Sequence, residues 1–487
     1  MSNKQFSRRD FLRTGALSGL AAGSGLLGGS ARKASKKYNP GDAKNVIFLV
    51  SDGMSSGTLA LADLVKKEQY GEKTNWIKLY ESDRDYHRGL MDMAALNNPV
   101  TDSAAAASSW GCGHRIINDA LNWGPNDEEF KPICEIFRDA GKATGLVTTT
   151  RMTHATPAGF SANVPARGME DEIASQYSER HFDILMGGGD RHFSADGRED
   201  GQDLYSKFEN NGYTVVKNKS ELQRAGTDGK LLGIFYDSHL PYTIDHKNIP
   251  GLEDQVPTLA ELSKEALDRL DQKENGFILQ IEGGRVDHGA HANDAAAMIY
   301  DQIAFDDAVK VVMDYTENRD DTLVILTTDH GNANPGLGAY GSRYADSPVR
   351  LRTLHNYQRS FEWVYNELGF HWSHDAVGSD VTVKQVKDLL EFATNTQITE
   401  DEAIMAFQAF KGEFRAPFRD RQGPPGVLSG IMANYNGVYF ITTTHTSDYV
   451  EIAAWGPGSE RIPTFVRNTD LFDLMVDMAD VRAYAEG

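Results

Sequence analysis

Cysteine is almost absent: Cys112 and Cys134 are the only two in 487 residues. Two thiols cannot build a cysteine-rich metal site or a disulfide framework. They either pair, in an oxidising compartment, or stay as buried free thiols. Positive charge is also scarce, with 49 Lys plus Arg against 70 Asp plus Glu and a formal net charge of −21. No broad basic face can neutralise a nucleic-acid backbone, so no nucleic-acid partner is expected. An anionic small substrate would need a local positive source, such as metals or a placed arginine. Long apolar runs are missing past the N-terminal leader. Nothing there approaches the ~20 residues needed to span a bilayer, so no membrane anchor is expected after processing. What is present suffices for a sizeable core: 40% hydrophobic and 10% aromatic residues exclude global disorder.

The N-terminus has a pattern of its own. Ser7-Arg8-Arg9-Asp10-Phe11-Leu12-Arg13 precedes a small-residue, mildly apolar run from Thr14 to Gly29. Paired arginines, Phe-Leu and a Gly/Ala-rich run read as a twin-arginine export signal. Residues 1–37 are therefore taken as signal and leader, and 38–487 as the exported body, periplasmic or secreted. That route carries folded proteins, which suits an enzyme that acquires metals before export.

From Asn45 the chain alternates between strands and helices. Apolar runs at Val46 to Val50, Thr144 to Thr150, Ile184 to Met186, Phe277 to Ile281 and Leu323 to Thr328 read as buried parallel strands. A helix is predicted from Thr258 to Asp271, started by Pro257. The alternation predicts an α/β fold: a doubly wound, mainly parallel sheet flanked by helices. Asp52, Glu282 and Asp329-His330 each stand at or just past the end of an apolar run, where open α/β sheets bind ligands. Residues 335–438 break the rhythm and read as an insertion that covers the cleft or meets a partner. Capping-box patterns at Thr382/Gln385 and Thr399/Glu402 predict two helices within it. Gly423-Pro424-Pro425-Gly426 reads as a loop. His371 and His374 lack further ligands nearby, and a surface or core role is the simpler reading for them.

Two stretches carry chemistry. In Thr101-Asp102-Ser103, followed by four alanines, the Asp-Ser pair suits a helix N-terminus. A serine there points its oxygen into a positive helix end that also favours phosphate. It becomes a nucleophile only if a base or a metal activates it, and otherwise it is part of an ordinary cap. In the second stretch, Glu282 to His291, Asp287 and His291 are four apart and share one face of a helical turn, so they can bind one ion. Glu282, before the glycine pair, can face another. Asp329-His330 and His445 add a hard oxygen and two imidazoles. Mixed Asp/His donors suit zinc, and an Asp/Glu/Thr oxygen set suits magnesium.

Asp52-Gly53-Met54, Thr101 to Ala104, His154-Ala155-Thr156-Pro157, Glu282 to His291, Thr328 to Gly331 and His445-Thr446 together resemble the zinc-dependent, serine-nucleophile alkaline phosphatases, in the family's order. The resemblance implies hydrolysis of phosphate monoesters through a phosphoserine on Ser103, with two zinc ions and one magnesium. It assigns Asp287, His291 and His445 to one zinc, and Asp52, Asp329 and His330 to the other. Asp52 would bridge to magnesium with Thr156 and Glu282. Arg167 matches the phosphate-clamping arginine, whose fork holds two oxygens at once. His154 and His288 stand where some bacterial relatives carry Asp and Lys, and would support the site from behind the ligands. A homodimer is also implied. Rival readings are a phosphodiesterase of the same superfamily, and a silent metal- or phosphate-binding envelope protein. A sulfatase would need a Cys/Ser-x-Pro-x-Arg setting, absent around Ser103.

Overall fold

The apolar run Asn45–Ser51 forms β1, and every one of its residues is buried. In this computed structural model, residues 38–339, 343–370 and 376–485 are described. The leader and His371 and His374 therefore lie outside the described residues. The further strands are β2 (Tyr86–Asp92), β3 (Ala143–Arg151), β4 (Ile184–Gly188), β5 (Tyr213–Val216), β6 (Lys230–Ile234), β7 (Phe277–Gly283) and β8 (Thr322–Thr327). Two-residue pieces follow at β9 (Gly331–Asn332), β10 (Gly336–Leu337), β11 (Val438–Tyr439) and β12 (His445–Thr446). The last strands are β13 (Val450–Trp455) and β14 (Phe465–Arg467).

Ten of these make one sheet in the order β14-β2-β13-β8-β1-β7-β3-β4-β6-β5. All neighbours run parallel except β13, which is antiparallel to both β2 and β8. The mainly parallel α/β sheet expected from the alternating pattern is thus present. β1 lies between β7 and β8, so the C-terminal ends of three adjacent strands deliver Asp52, Glu282 and Asp329 to one edge. β1, β7 and β8 are buried along their whole length, which is why they read as continuous apolar runs. β2, β5 and β14 carry exposed or half-exposed positions and lacked that signal.

The helix Ser103–Cys112 is buried from end to end. Trp110 packs on Phe48 of β1 at a ring-centroid distance of 4.8 Å, and Phe48 meets Phe160 at 5.2 Å. The same helix crosses the short helix Ala155–Gly159 so closely that a Cβ on Gly111 would sit 1.8 Å from the Gly159 carbonyl oxygen. That contact is backbone, which cannot rotate away. Gly111→Ala should therefore cost about 1–3 kcal/mol and displace the helix that begins at Ser103. Urea denaturation reads this as a lowered midpoint, and a wild-type midpoint would refute the tight crossing.

Several local expectations change. Thr258 caps a helix over Leu259–Leu270 with a closed capping box to Glu261, so Pro257 lies before the cap and does not start the helix. Within residues 335–438, Thr399 and Glu402 close a capping box in both directions. Thr382 only accepts from the Gln385 backbone N–H, with no return bond. Gly423 to Gly426 is not a loop. It opens a helix over Pro424–Asn436, because proline at the first helical positions has the required φ and lacks only an N–H with no partner there. That segment does not pack alone: Phe361, Tyr365, Leu390 and Phe410 share a buried cluster with Val286, Ala290 and Met298 beside the site. Cys112 and Cys134 are both free and buried. Among the described residues, no helix is long and apolar enough to cross a membrane.

Candidate active site

Asp52 leaves β1 at a turn that only glycine permits. Gly53 has φ +68, and a Cβ there would fall 2.4 Å from Asp287 Oδ1. Its backbone N–H donates to Asp329 Oδ1 at 2.9 Å, locking the ends of β1 and β8 together. His445 arrives from far along the chain because β12 pairs with β9, setting His445 opposite Asn332. Ser103 follows the N-cap residue Asp102, whose carboxylate accepts from the Ala105 N–H at 2.9 Å. Ser103 Oγ lies 3.3 Å from His330 Nε2. The serine thus belongs to a capped helix end and also faces the imidazole of the ligand set.

Among the described residues, three groups bring donor atoms within 4.8 Å of one another: Asp287, His330 and His445; Asp52, Asp329 and His330; and Asp52, His154 and Glu282. His291 joins the first, with Nε2 3.0 Å from His445 Nε2 and 3.4 Å from Asp287 Oδ2. Thr156 joins the third through Oγ1, 3.5 Å from Asp52 Oδ2. His330 stacks on His445 at 3.7 Å between centroids.

The tautomers define what these atoms can do. His291 Nδ1–H donates to the Thr443 carbonyl at 2.7 Å, and His445 Nδ1–H donates to the Thr101 carbonyl at 2.9 Å. Their Nε2 atoms then carry lone pairs that face each other without a proton between them, as metal-ligating imidazoles do. Asp52 Oδ1 and Glu282 Oε1 are buried with no hydrogen-bond partner. Burial pushes the Asp52 carboxyl well above its usual range, and the neighbouring charges of Asp329, Asp287 and Glu282 push it further. Glu282 is raised to about 7, chiefly by burial, although Thr148 on β3 donates to it. Asp287 is pulled the other way: burial would raise it, but His291, His445 and His330 hold it below the usual carboxylate range. Four buried carboxylates, with no ion pair to a Lys among the described residues, fit divalent cations.

Arg167 donates to Asp102 Oδ2 at 3.2 Å and to His154 Nε2 at 3.1 Å, beside the helix start. Burial, and then the Arg167 guanidinium, holds His154 well below the ordinary imidazole range. His288 is lowered in the same way, by burial and then by Arg285. Sequence reasoning missed Thr148, Thr150, Arg151, His239 and Arg285. Thr150 reaches Glu282 Oε2 at 3.3 Å, and the Thr148-Thr149-Thr150 run at the end of a strand was the available signal. His239 had none. It sits in a loop after β6, tied to β3 when the Leu240 N–H donates to the Thr149 carbonyl at 2.9 Å.

A mainly parallel sheet that gathers carboxylates and imidazoles over its C-terminal edge, facing a serine at a helix end, is the arrangement of a divalent-metal enzyme of the α/β class. Comparison with known proteins narrows this class. The alkaline phosphatase family model matches residues 43–404. Alkaline phosphatase 4 and alkaline phosphatase 3 of Bacillus subtilis are 29% and 30% identical to this chain, each aligned over 96% of both chains. The crystal structure of Thermus thermophilus alkaline phosphatase superimposes with a TM-score of 0.83 at 31% identity, covering 94% of this chain and 96% of the other. The chain belongs to the alkaline phosphatase family. It is a phosphoric monoester hydrolase that depends on divalent metals.

Proposed function

We propose that the enzyme transfers the phosphoryl group of a monoester to Ser103 and then to water, at a site holding two zinc ions and one magnesium ion. The observation that carries this reading is Ser103 Oγ, 3.3 Å from His330 Nε2 at the start of a buried helix. Asp287, His291 and His445 would hold one zinc, and Asp52, Asp329 and His330 the other. Asp52, Thr156 and Glu282 would hold magnesium. When bound, the ions supply the charge that acidifies the serine hydroxyl and neutralises the phosphoryl oxygens.

The protein's own residues do the rest. Ser103 Oγ bonds to phosphorus as the ester oxygen departs with the alcohol, and water later breaks the phosphoserine to release inorganic phosphate. Asp102 caps the helix and also anchors Arg167, so the guanidinium is held beside the serine. Arg167 offers its remaining N–H groups to the equatorial oxygens, and the helix N-terminus adds to that field. The Ser7 to Arg13 pattern supports export by the twin-arginine route.

The test is a rate comparison. p-Nitrophenyl phosphate should be favoured over bis(p-nitrophenyl) phosphate in kcat/KM. A reversed preference would select the phosphodiesterase reading, and binding without turnover of either ester would select the silent envelope protein.

A further inference from the structure

His154, His239 and His288 pack edge to face around one point. Their ring centroids are 5.4 Å apart for His154–His239 and His154–His288, and 4.3 Å for His239–His288. Each ring meets a different arginine, and each arginine is held by a different carboxylate. Arg167 links Asp102 to His154, as described above. Arg151 donates to both Glu170 oxygens at 2.7 Å and meets His239 Nε2 at 2.5 Å. Arg285 donates to Glu362 Oε1 at 2.7 Å and to His288 Nδ1 at 2.9 Å. The three rings each turn a nitrogen to a guanidinium, and no candidate metal group among the described residues contains more than one of them. The three arginines are matched by three carboxylates, so the cluster as a whole carries no uncompensated positive charge.

The chemistry of the contact decides the proton's place. A guanidinium has donors only, so the ring nitrogen it touches must accept. A neutral imidazole accepts at one nitrogen and carries its proton on the other. For His288 that puts the proton on Nε2.

The third chain differs from the others in where it starts. Glu362 lies on the helix Phe361–Glu367, inside the inserted segment 335–438, while Arg285 and His288 lie on the helix Arg285–His291 that carries Asp287. Arg285 is 2% exposed, its guanidinium lies 3.6 Å over the Tyr242 ring, and its Nε has no hydrogen-bond partner. Glu362 is the carboxylate bonded to that guanidinium. The Glu362 helix is itself pinned independently: Asp245 accepts from the Ser360 N–H at 2.9 Å, and Asp294 accepts from the Phe361 N–H at 2.6 Å.

We propose that Glu362 is a positioning residue through which the inserted segment acts on the active site: it aims Arg285, which holds His288 in the Nε2–H tautomer beside the ligand Asp287. This rests on the reading of Asp287 and its neighbours as the phosphatase site. The role of Glu362 is orientation, analogous to the outer partners that fix the tautomer of metal-site histidines.

The experiment uses the metal-loaded enzyme labelled with ¹⁵N-histidine, with the His288 resonances assigned from the spectrum of His288→Gln. In the native protein, the ring should show a protonated Nε2 and an unprotonated Nδ1. In Glu362→Ala the ring should average between tautomers, and kcat/KM for p-nitrophenyl phosphate should fall roughly ten-fold. Glu362→Gln, which keeps an acceptor oxygen, should retain most of both. Lys384→Ala, at an exposed pair with Asp388 in the same segment, should change neither. Circular dichroism should show both Glu362 variants folded, since Asp245 and Asp294 still hold the helix. An unchanged His288 tautomer in Glu362→Ala would overturn the proposal, even if activity fell. Absence of monoester turnover in the native enzyme would instead refute the phosphatase reading, while the tautomer measurement would still decide the role of Glu362.

Discussion

Ser103→Ala is expected to lower p-nitrophenyl phosphate turnover by roughly 10³-fold or more while the metals stay bound. The size follows from the proposed mechanism: without Oγ no phosphoserine can form, and a direct attack by water would have to replace the two proposed steps. At 1.4 kcal/mol per decade this is about 4 kcal/mol of lost transition-state stabilisation. The fold should hardly notice. Asp102, not Ser103, supplies the cap that accepts the Ala105 N–H, and alanine is at home in a helix. The carboxylates and imidazoles gathered around Asp52, Asp287 and Glu282 are untouched. Steady-state kinetics paired with metal analysis separates the effects, and near-normal turnover in the variant would show that Ser103 is not the nucleophile.

Removing the metals should have an effect at least as large, and it should reach the fold as well. A chelator is expected to abolish turnover, and zinc plus magnesium together should restore it. Without cations, Asp52 is left buried with Asp329, Asp287 and Glu282 for neighbours, and its carboxyl is pushed up by burial and by their charge. The lone pairs of His291 and His445 face each other at 3.0 Å with nothing to share. Ligands that bind only the folded state stabilise it, by about 4 kcal/mol at a thousand-fold excess over Kd. The thermal midpoint should therefore fall with chelation and return with the metals. Full activity and an unchanged midpoint in metal-free protein would sink the metal-dependent account.

The candidate ligands were legible because strand burial and function coincide in this fold. β1, β7 and β8 are buried on both faces, so they appear as unbroken apolar runs, and a charged residue straight after such a run is conspicuous. Asp52, Glu282 and Asp329-His330 were found in that way. His445 was found through its motif, because β12 is only two residues long and has no pattern of its own. The helix at Pro424–Asn436 was misread because two prolines between glycines signal a turn locally, while tertiary packing takes up the same residues as a helix start. His239 was invisible, since a lone histidine in a loop has no periodicity to betray it.

The amino-acid sequence alone therefore determined the class of fold and singled out the strand ends and side chains of the candidate site. These depend on local matters: hydrophobic period, capping preference, and which side chains can bind a hard cation or attack phosphorus. The family resemblance already grouped those donors, and only the tertiary structure decided at what distances they meet and in what tautomers. It joined β9 to β12 across residues 333–444, and aimed the Nε2 atoms of His291 and His445 at each other. It also closed three carboxylate–arginine–histidine chains around one point, the last of them starting from Glu362. Such pairings depend on the packing of residues far apart in the chain, and no local pattern encodes them.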